Sequence, residues 1–196
     1  MTSRIGILMF EEMEELDAVG PWEVLGYWTK YFPEDGYEIV NFSRDGGEVT
    51  CAKGLRIATQ HSYITVPDLD VLIYPGGFGT RSHLKDDAQL EWLRTQRPRV
   101  RVVASVCTGS LVLAAAGLLT NRRATTHWAS LELLAELDPT IDVRPDERYV
   151  DEDDVVTSAG VSAGIDMALH LVRRFTNDER ARQVRRGIQY DPQPPV

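Results

Sequence analysis

The sequence is poor in cysteine and in long apolar stretches, and each shortage excludes a class of protein. Two cysteines among 196 residues cannot supply the framework of a disulfide-stapled secreted fold. No apolar run approaches the roughly 18 residues of a membrane-spanning helix, and no signal-peptide core is found near the start. We therefore expect a cytoplasmic protein that neither enters nor crosses a membrane.

Positive charge and metal-ligand patterns are also scarce. The chain has 21 Lys and Arg against 30 Asp and Glu, a formal net charge of -9, so we expect no affinity for nucleic acid or anionic membranes. Its four histidines and two cysteines show no metal-binding spacing, and neither a metal nor a cofactor is predicted. The arginines of 180–186 are interpreted as a solvated helix face. The expected partner is a small-molecule substrate.

What the sequence does contain is the composition of one ordinary globular domain. It is 43% hydrophobic and 26% charged, and its length suits a single domain over residues 1–196. A proline-rich tail is expected from about residue 188. Apolar segments with strand and helix character alternate along the chain, which predicts an α/β fold with a mostly parallel sheet covered by helices on both faces.

The most informative stretch is residues 100–119, which predicts a buried strand, one tight turn and a buried helix. Cys107 occupies the turn, and the residues two before and two after it, Ser105 and Gly109, are small. That pattern is typical of a nucleophile elbow, in which the backbone is too crowded for larger side chains. A helix N-terminus beside the sulfur favours a thiolate, so we predict a Cys107 pKa below the usual value of about 8.5. The alternative is that Cys107 is a small core residue.

Other predicted strands end at residues that suit a ligand site. A first strand over 4–10 leads towards Asp17, which precedes a helix expected from Pro21 to Lys30, and the strand 71–74 leads into Gly77. A brief strand over 123–126 ends at His127. Because the carboxyl ends of parallel strands share one edge, we expect these residues to meet Cys107 there. His127 is either a base for Cys107 or an ordinary polar residue, and the glycines after 71–74 alone would indicate only a tight turn.

The remaining segments complete the predicted fold. Cys51 is assigned a structural role, because nothing near it in the sequence indicates a helix terminus or, apart from Lys53, a basic neighbour. The further predictions are strands at 37–43 and 155–158, short antiparallel strands within 49–59, helices at 85–96, 128–137 and 162–175, a surface excursion over 142–154, and a last helix with a capping box that begins at Thr176.

Four segments together resemble a known family. They are PGGFG, the elbow ASVCTGS, the run LAAAGLLTNRRATTHW and the later SAGVSAGIDMALHLV, and they are similar to the ThiJ/PfpI superfamily over nearly the whole chain. The resemblance implies a flavodoxin-like three-layer sandwich related to class I glutamine amidotransferase domains. Asp17 in LDAVGPWEVL, together with Cys107 and Thr108, looks most like the isonitrile (isocyanide) hydratases within that superfamily.

This resemblance implies a role for each site residue. Cys107 would be the nucleophile, Asp17 the acid and base, and Thr108 an assisting residue, while the backbone N–H groups of Gly77 and Thr108 would form an anion-binding hole. The implied reaction is cofactor-independent addition of water to an isonitrile, which gives an N-substituted formamide through a cysteine thioimidate. His127 is a further candidate for contact with the substrate.

Sister branches of the superfamily offer other functions. The protease branch has a histidine directly after the cysteine, where this chain has Thr108, and the glyoxalase or deglycase branch has a glutamate where this chain offers Asp17. Similar domains also stand at the front of AraC-type regulators, which continue into a helix-turn-helix region. The sequence reaches Val196 without one, which favours an enzyme over a ligand-binding or redox-sensing module.

The resemblance also implies a homodimer. The first predicted helix carries Trp22, Tyr27 and Trp28, which we consider as the contact surface or, equally, as part of the core.

Overall fold

A seven-stranded sheet lies at the centre of the part of the chain that the computed structural model describes, residues 2–193. In chain order, the strands of the protein are β1 (Ser3–Leu8), β2 (Tyr37–Ser43), β3 (Gly47–Thr50), β4 (Arg56–Thr59), β5 (His61–Ser62), β6 (Val71–Tyr74), β7 (Val102–Val106), β8 (Arg123–Ala124), β9 (Asp142–Val143), β10 (Tyr149–Asp151) and β11 (Val155–Ser158). The helices are α1 (Glu15–Tyr31), α2 (Thr80–His83), α3 (Asp87–Gln96), α4 (Gly109–Ala115), α5 (Leu131–Leu137), α6 (Ala163–Phe175) and α7 (Asp178–Gly187).

The strand order of the central sheet is β10-β11-β7-β6-β1-β2-β5. Its strand pairs are parallel except that of β10 with β11, so the predicted mostly parallel α/β sheet is confirmed. The chain leaves β1 towards β2 and then returns to the other side of β1 with β6 and β7. The sheet therefore has a topological switch point between β1 and β6, and ligands of such sheets bind beyond the strand ends at that point.

The core of the sheet confirms the prediction for 100–119. All five residues of β7 are buried, as are the first six residues of α4, because helices cover both faces. The helix ends at Ala115, earlier than the predicted Leu119. Gly117 adopts a positive φ of 79°, which is a left-handed conformation that ends helices.

The first helix begins six residues before its predicted start. It runs from Glu15, so Asp17 lies in its first turn and Pro21 lies inside it. Because proline has no N–H, the helix lacks one hydrogen bond at Pro21, to the carbonyl four residues back. The helix continues past it and buries Val24, Leu25 and Trp28. Trp28 is fully buried and donates its Nε1–H to Asp35 at 2.7 Å, which removes it from the proposed contact surface.

Two predictions for the second half of the chain are wrong. The strand that leads to His127 is only Arg123–Ala124, and it pairs with β9 in a small separate sheet rather than joining the central one. The supposed surface excursion over 142–154 contains β9 and the edge strand β10. Strands of two or three residues are too short to show a periodic pattern in the sequence.

The C-terminal segment also differs from its prediction. The cap of α7 is Asn177, whose side chain accepts the Arg180 N–H at 2.9 Å, while Thr176 donates its hydroxyl to Val172 at 2.6 Å. The predicted solvated face includes a paired residue, because Arg180 bonds Asp35 at 2.6 Å.

The expected tail is partly fastened to the domain. Tyr190 donates its hydroxyl to Asp166 at 3.0 Å, and Arg185 pairs with Asp191 at the same distance. Residues 194–196 of that tail lie outside the described residues. Within residues 2–193, none of the helices has the length and apolarity needed to cross a membrane.

Candidate active site

Cys107 occupies the sharp turn between β7 and α4. Its φ of 55° is unusual for a residue with a side chain, and this strained conformation marks a nucleophile elbow. A Cβ added to Gly109 would come within 2.8 Å of the Pro75 carbonyl oxygen, so nothing larger than glycine fits there without displacement. The small residue that the sequence placed after the cysteine is thus explained by contact with the end of β6.

Asp17 meets Cys107 from the first turn of α1. Its carboxyl group is fully buried, accepts the Gly76 N–H through Oδ2 at 3.0 Å, and lies close enough to the Cys107 thiol for each group to shift the pKa of the other. A Cβ on Gly76 would lie 2.8 Å from both Asp17 Oδ2 and Cys107 Cβ. The absence of a side chain at Gly76 is therefore what lets the carboxyl and the thiol approach each other.

The second carboxyl oxygen, Asp17 Oδ1, is buried and has no partner at ordinary hydrogen-bond length among the described residues. Burial, with a smaller contribution from the charge of Glu14, raises the pKa of Asp17 to about 7, although the bond from Gly76 acts in the opposite direction. A carboxyl group with this pKa can both give and take a proton near neutral pH.

Burial also raises the pKa of Cys107, to about 12, and the negative charge of Asp17 adds to that effect. The predicted lowering of this pKa is therefore wrong. The backbone N–H groups of Thr108 and Val161 do act on the sulfur in the expected direction, but burial and the carboxylate outweigh them. The two groups titrate as a pair, in which ionised Asp17 holds the thiol in its protonated form.

Val161 is a site residue that the sequence analysis did not identify. It follows β11, its N–H lies against the Cys107 sulfur, and its φ is 51°. A β-branched residue at positive φ is a conformational outlier, which the surrounding structure must hold in place. The one signal in the sequence was its position after Gly160 at the end of a buried strand.

Thr108 and Gly77 lie beside the pair and bond to each other. The Gly77 N–H donates to Thr108 Oγ1 at 2.9 Å, so this N–H already has an acceptor within the protein. The anion-binding hole was expected to consist of the N–H groups of Gly77 and Thr108. The N–H groups that act on the sulfur are those of Thr108 and Val161, so Val161 takes the place of Gly77. Gly77 is required for another reason: a Cβ at its φ of 119° would lie 2.6 Å from the Glu12 carbonyl oxygen.

His127 lies at the edge of this region. Its Nδ1 accepts the Ala129 N–H at 3.2 Å, and its ring packs against the backbone of Gly160. Among the hydrogen bonds of residues 2–193, none joins His127 to Cys107. This geometry favours the interpretation of His127 as a polar residue that caps the turn at Trp128–Ser130.

Comparison with known proteins identifies the family. Residues 3–174 match the description DJ-1/PfpI family. The chain belongs to the DJ-1/PfpI family. The resemblance to ThiJ/PfpI proteins drawn from the elbow and glycine segments is thereby confirmed.

Individual DJ-1/PfpI relatives include both an enzyme and a regulator. The chain is 38% identical to isonitrile hydratase from Pseudomonas putida over 196 residues, which is all of this chain and 82% of the relative. It is 31% identical to the HTH-type transcriptional regulator CdhR from Pseudomonas aeruginosa over 89% of this chain, but spans only 50% of that protein. A ThiJ/PfpI protein from Pseudomonas syringae has a crystal structure that matches with a TM-score of 0.89 and 32% identity, over 100% of this chain and 78% of that one.

The second cysteine of this DJ-1/PfpI chain lies elsewhere. Cys51 is buried at the tip of the β3–β4 hairpin, and burial together with the charge of Glu15 raises its pKa to about 11. Within residues 2–193, no group of three or more His, Cys, Asp or Glu side chains is placed to hold a metal ion.

The coupling between the Asp17 carboxyl and the Cys107 thiol predicts how the thiol responds to pH. We expect the alkylation of Cys107 by iodoacetamide to rise with a midpoint above about 8.5, because Asp17 opposes ionisation of the sulfur. Asp17→Asn should move that midpoint to lower pH. The rate is followed across pH with mass-spectrometric site assignment in a Cys51→Ala background. An identical midpoint in the two proteins would show that Asp17 does not control the thiol.

Proposed function

We propose that this protein is an isonitrile hydratase, which adds water to R–N≡C and releases the formamide R–NH–CHO. The observation that carries the proposal is that Cys107 and a carboxyl group, Asp17, are buried side by side next to Gly76, and that the pKa of Asp17, about 7, lets it move protons in both directions. The 38% identity to Pseudomonas putida isonitrile hydratase along the whole chain supports it.

In the first step, sulfur and hydrogen both add to the terminal carbon of the isonitrile. Asp17 as carboxylate takes the thiol proton while the Cys107 sulfur forms a bond to that carbon. Asp17 then returns the proton to the same carbon, which gives the thioimidate S–CH=N–R. A thiol with a raised pKa is compatible with this step, because the sulfur needs to lose its proton only during the attack.

In the second step, water adds to the thioimidate carbon and Cys107 leaves. Asp17, ionised again, takes one proton from the attacking water and passes it to the nitrogen, and as the carbon–sulfur bond breaks it takes the remaining hydroxyl proton, which leaves the formamide carbonyl. Thr108 orients this transfer through its hydroxyl. The N–H groups of Thr108 and Val161 stabilise the departing sulfur, which then recovers its proton from Asp17. One isonitrile and one water are consumed for each formamide.

The test is product formation by the fully reduced protein. Purified protein is incubated with an alkyl isonitrile such as cyclohexyl isonitrile, loss of the isonitrile infrared band is followed, and the formamide is identified by chromatography. In ¹⁸O-labelled water, the formamide carbonyl should carry the label, because its oxygen comes from solvent. If the wild-type protein forms no more formamide than Cys107→Ala, the hydratase proposal is wrong, and ligand binding or redox sensing by the same cysteine takes its place.

We further propose a homodimer in the cytoplasm. The α1 helix exposes Leu16 and Val19 by more than a third, and Trp22 and Tyr27 are half-buried against the core. We take these apolar residues of α1 as the part of the surface on which a second copy of the chain packs. A monomer mass by light scattering at micromolar concentration would contradict this assembly.

A further inference from the structure

Thr80 is a fully buried residue at the start of α2 for which the mechanism above has no role. Its hydroxyl lies between two groups of the site: Oγ1 is 2.7 Å from the Gly77 carbonyl oxygen and 3.2 Å from Thr108 Oγ1. A hydroxyl has one proton to donate, and the shorter contact shows that Thr80 gives it to the Gly77 carbonyl.

The Gly77 carbonyl oxygen has three donors within reach and two lone pairs. Thr80 donates to it through its backbone N–H at 3.2 Å and through its hydroxyl at 2.7 Å. The hydroxyl of Thr108 lies 3.2 Å from the same oxygen and is the third donor. The Thr80 hydroxyl makes the shortest of the three contacts, and the two donors of Thr80 together weaken this carbonyl as an acceptor for the Thr108 proton.

The oxygen of Thr108 is held independently of its proton. It accepts the Gly77 N–H at 2.9 Å, so the side chain stays in place beside Cys107 whichever way the hydroxyl proton points. Thr108 is 5% exposed, and solvent therefore offers few competing acceptors. The other oxygen within reach, Thr80 Oγ1 at 3.2 Å, already accepts the Arg81 Nη1–H at 3.0 Å, which weakens it as an acceptor for the Thr108 proton. The oxygen of Thr108 is thus fixed, and a bound molecule competes for its proton.

We infer that Thr80 is a positioning residue: by occupying the Gly77 carbonyl, it keeps the hydroxyl proton of Thr108 directed towards the substrate. This inference rests on the proposed function, in which Thr108 orients the proton that reaches the nitrogen of the intermediate. Without the Thr80 hydroxyl, the Gly77 carbonyl regains a free lone pair, and Thr108 donates to it instead of to the substrate.

The experiment compares Thr80→Val, which removes the hydroxyl but keeps the shape, with Thr80→Ser, which keeps the hydroxyl. We expect Thr80→Val to lower kcat for formamide formation by about 10-fold or more with little change in KM, since the lost contribution belongs to proton transfer. Thr80→Ser should stay close to wild type. Thr80→Ala also lacks the hydroxyl, and it serves in place of the valine variant if that protein does not fold.

A double-mutant cycle separates positioning from general stability. In a Thr108→Val background, Thr80→Val should lower kcat by a further factor of less than about 2, because the hydroxyl proton that Thr80 positions is already missing. An equal loss of kcat in both backgrounds, or a wild-type kcat in Thr80→Val, would overturn this inference but not the proposed function. A wild-type protein that makes no formamide would instead overturn the proposed function, and this inference with it.

Discussion

Replacement of Cys107 by alanine is expected to abolish formamide formation. No other described side chain in contact with Asp17 offers sulfur to the isonitrile carbon, so the thioimidate cannot form and its hydrolysis has no substrate. The variant should fold normally, because Cys107 is a small side chain in an elbow whose neighbours stay in place. The measurement is the rate of isonitrile loss, compared with the wild type at equal concentration and in reducing buffer.

The chain offers a matched control for this experiment. Cys51 is buried to nearly the same degree, with 4% of its surface exposed against 5% for Cys107, but lies in the β3–β4 hairpin. Cys51→Ala should therefore keep the wild-type turnover. If Cys107→Ala retains turnover, or if Cys51→Ala loses it, the covalent mechanism is wrong.

Replacement of Asp17 by asparagine is expected to lower kcat by roughly 10²- to 10⁴-fold while the attacking sulfur remains. Asparagine still accepts the Gly76 N–H, but it can neither take the thiol proton nor return it to carbon. In the wild type, kcat/KM should rise as the pH increases through about 7, because the first step needs ionised Asp17. That rise should be absent from Asp17→Asn, and its persistence there would assign the titration to another group.

The same substitution should change the pH dependence of stability. The folded-state pKa of Asp17 is raised, so the folded protein holds this proton more tightly than the unfolded chain does between about pH 4 and about pH 7. The free energy of unfolding of the wild type should therefore fall across that window, by on the order of 4 kcal/mol. Asp17→Asn lacks this loss, so it should gain stability relative to wild type as the pH rises. Urea unfolding at pH 4 to 8 measures the difference, and parallel curves would contradict a buried, titrating Asp17.

The sequence by itself determined the fold class and the elbow. The strands β2, β6 and β11 have the predicted bounds, because each is a compact apolar or alternating run with a turn at its end. The elbow could be predicted because its requirement for small residues around Cys107 is local. The roles of Cys107, Asp17 and Thr108 stay predictions until activity is measured.

Only the tertiary structure decided the protonation chemistry of the site. Gly76, whose N–H binds Asp17, lies 59 positions further along the chain, and Val161 approaches the sulfur from the turn after β11, whereas Cys107 follows β7. A pKa depends on how much water is removed from a group and on which charges surround it, and neither is written in the residues next to it. The sequence therefore showed a helix N-terminus that favours a thiolate and placed Asp17 near Cys107, while the burial of both groups, and with it the effect of the carboxylate in favour of the thiol, emerged only when the chain was folded.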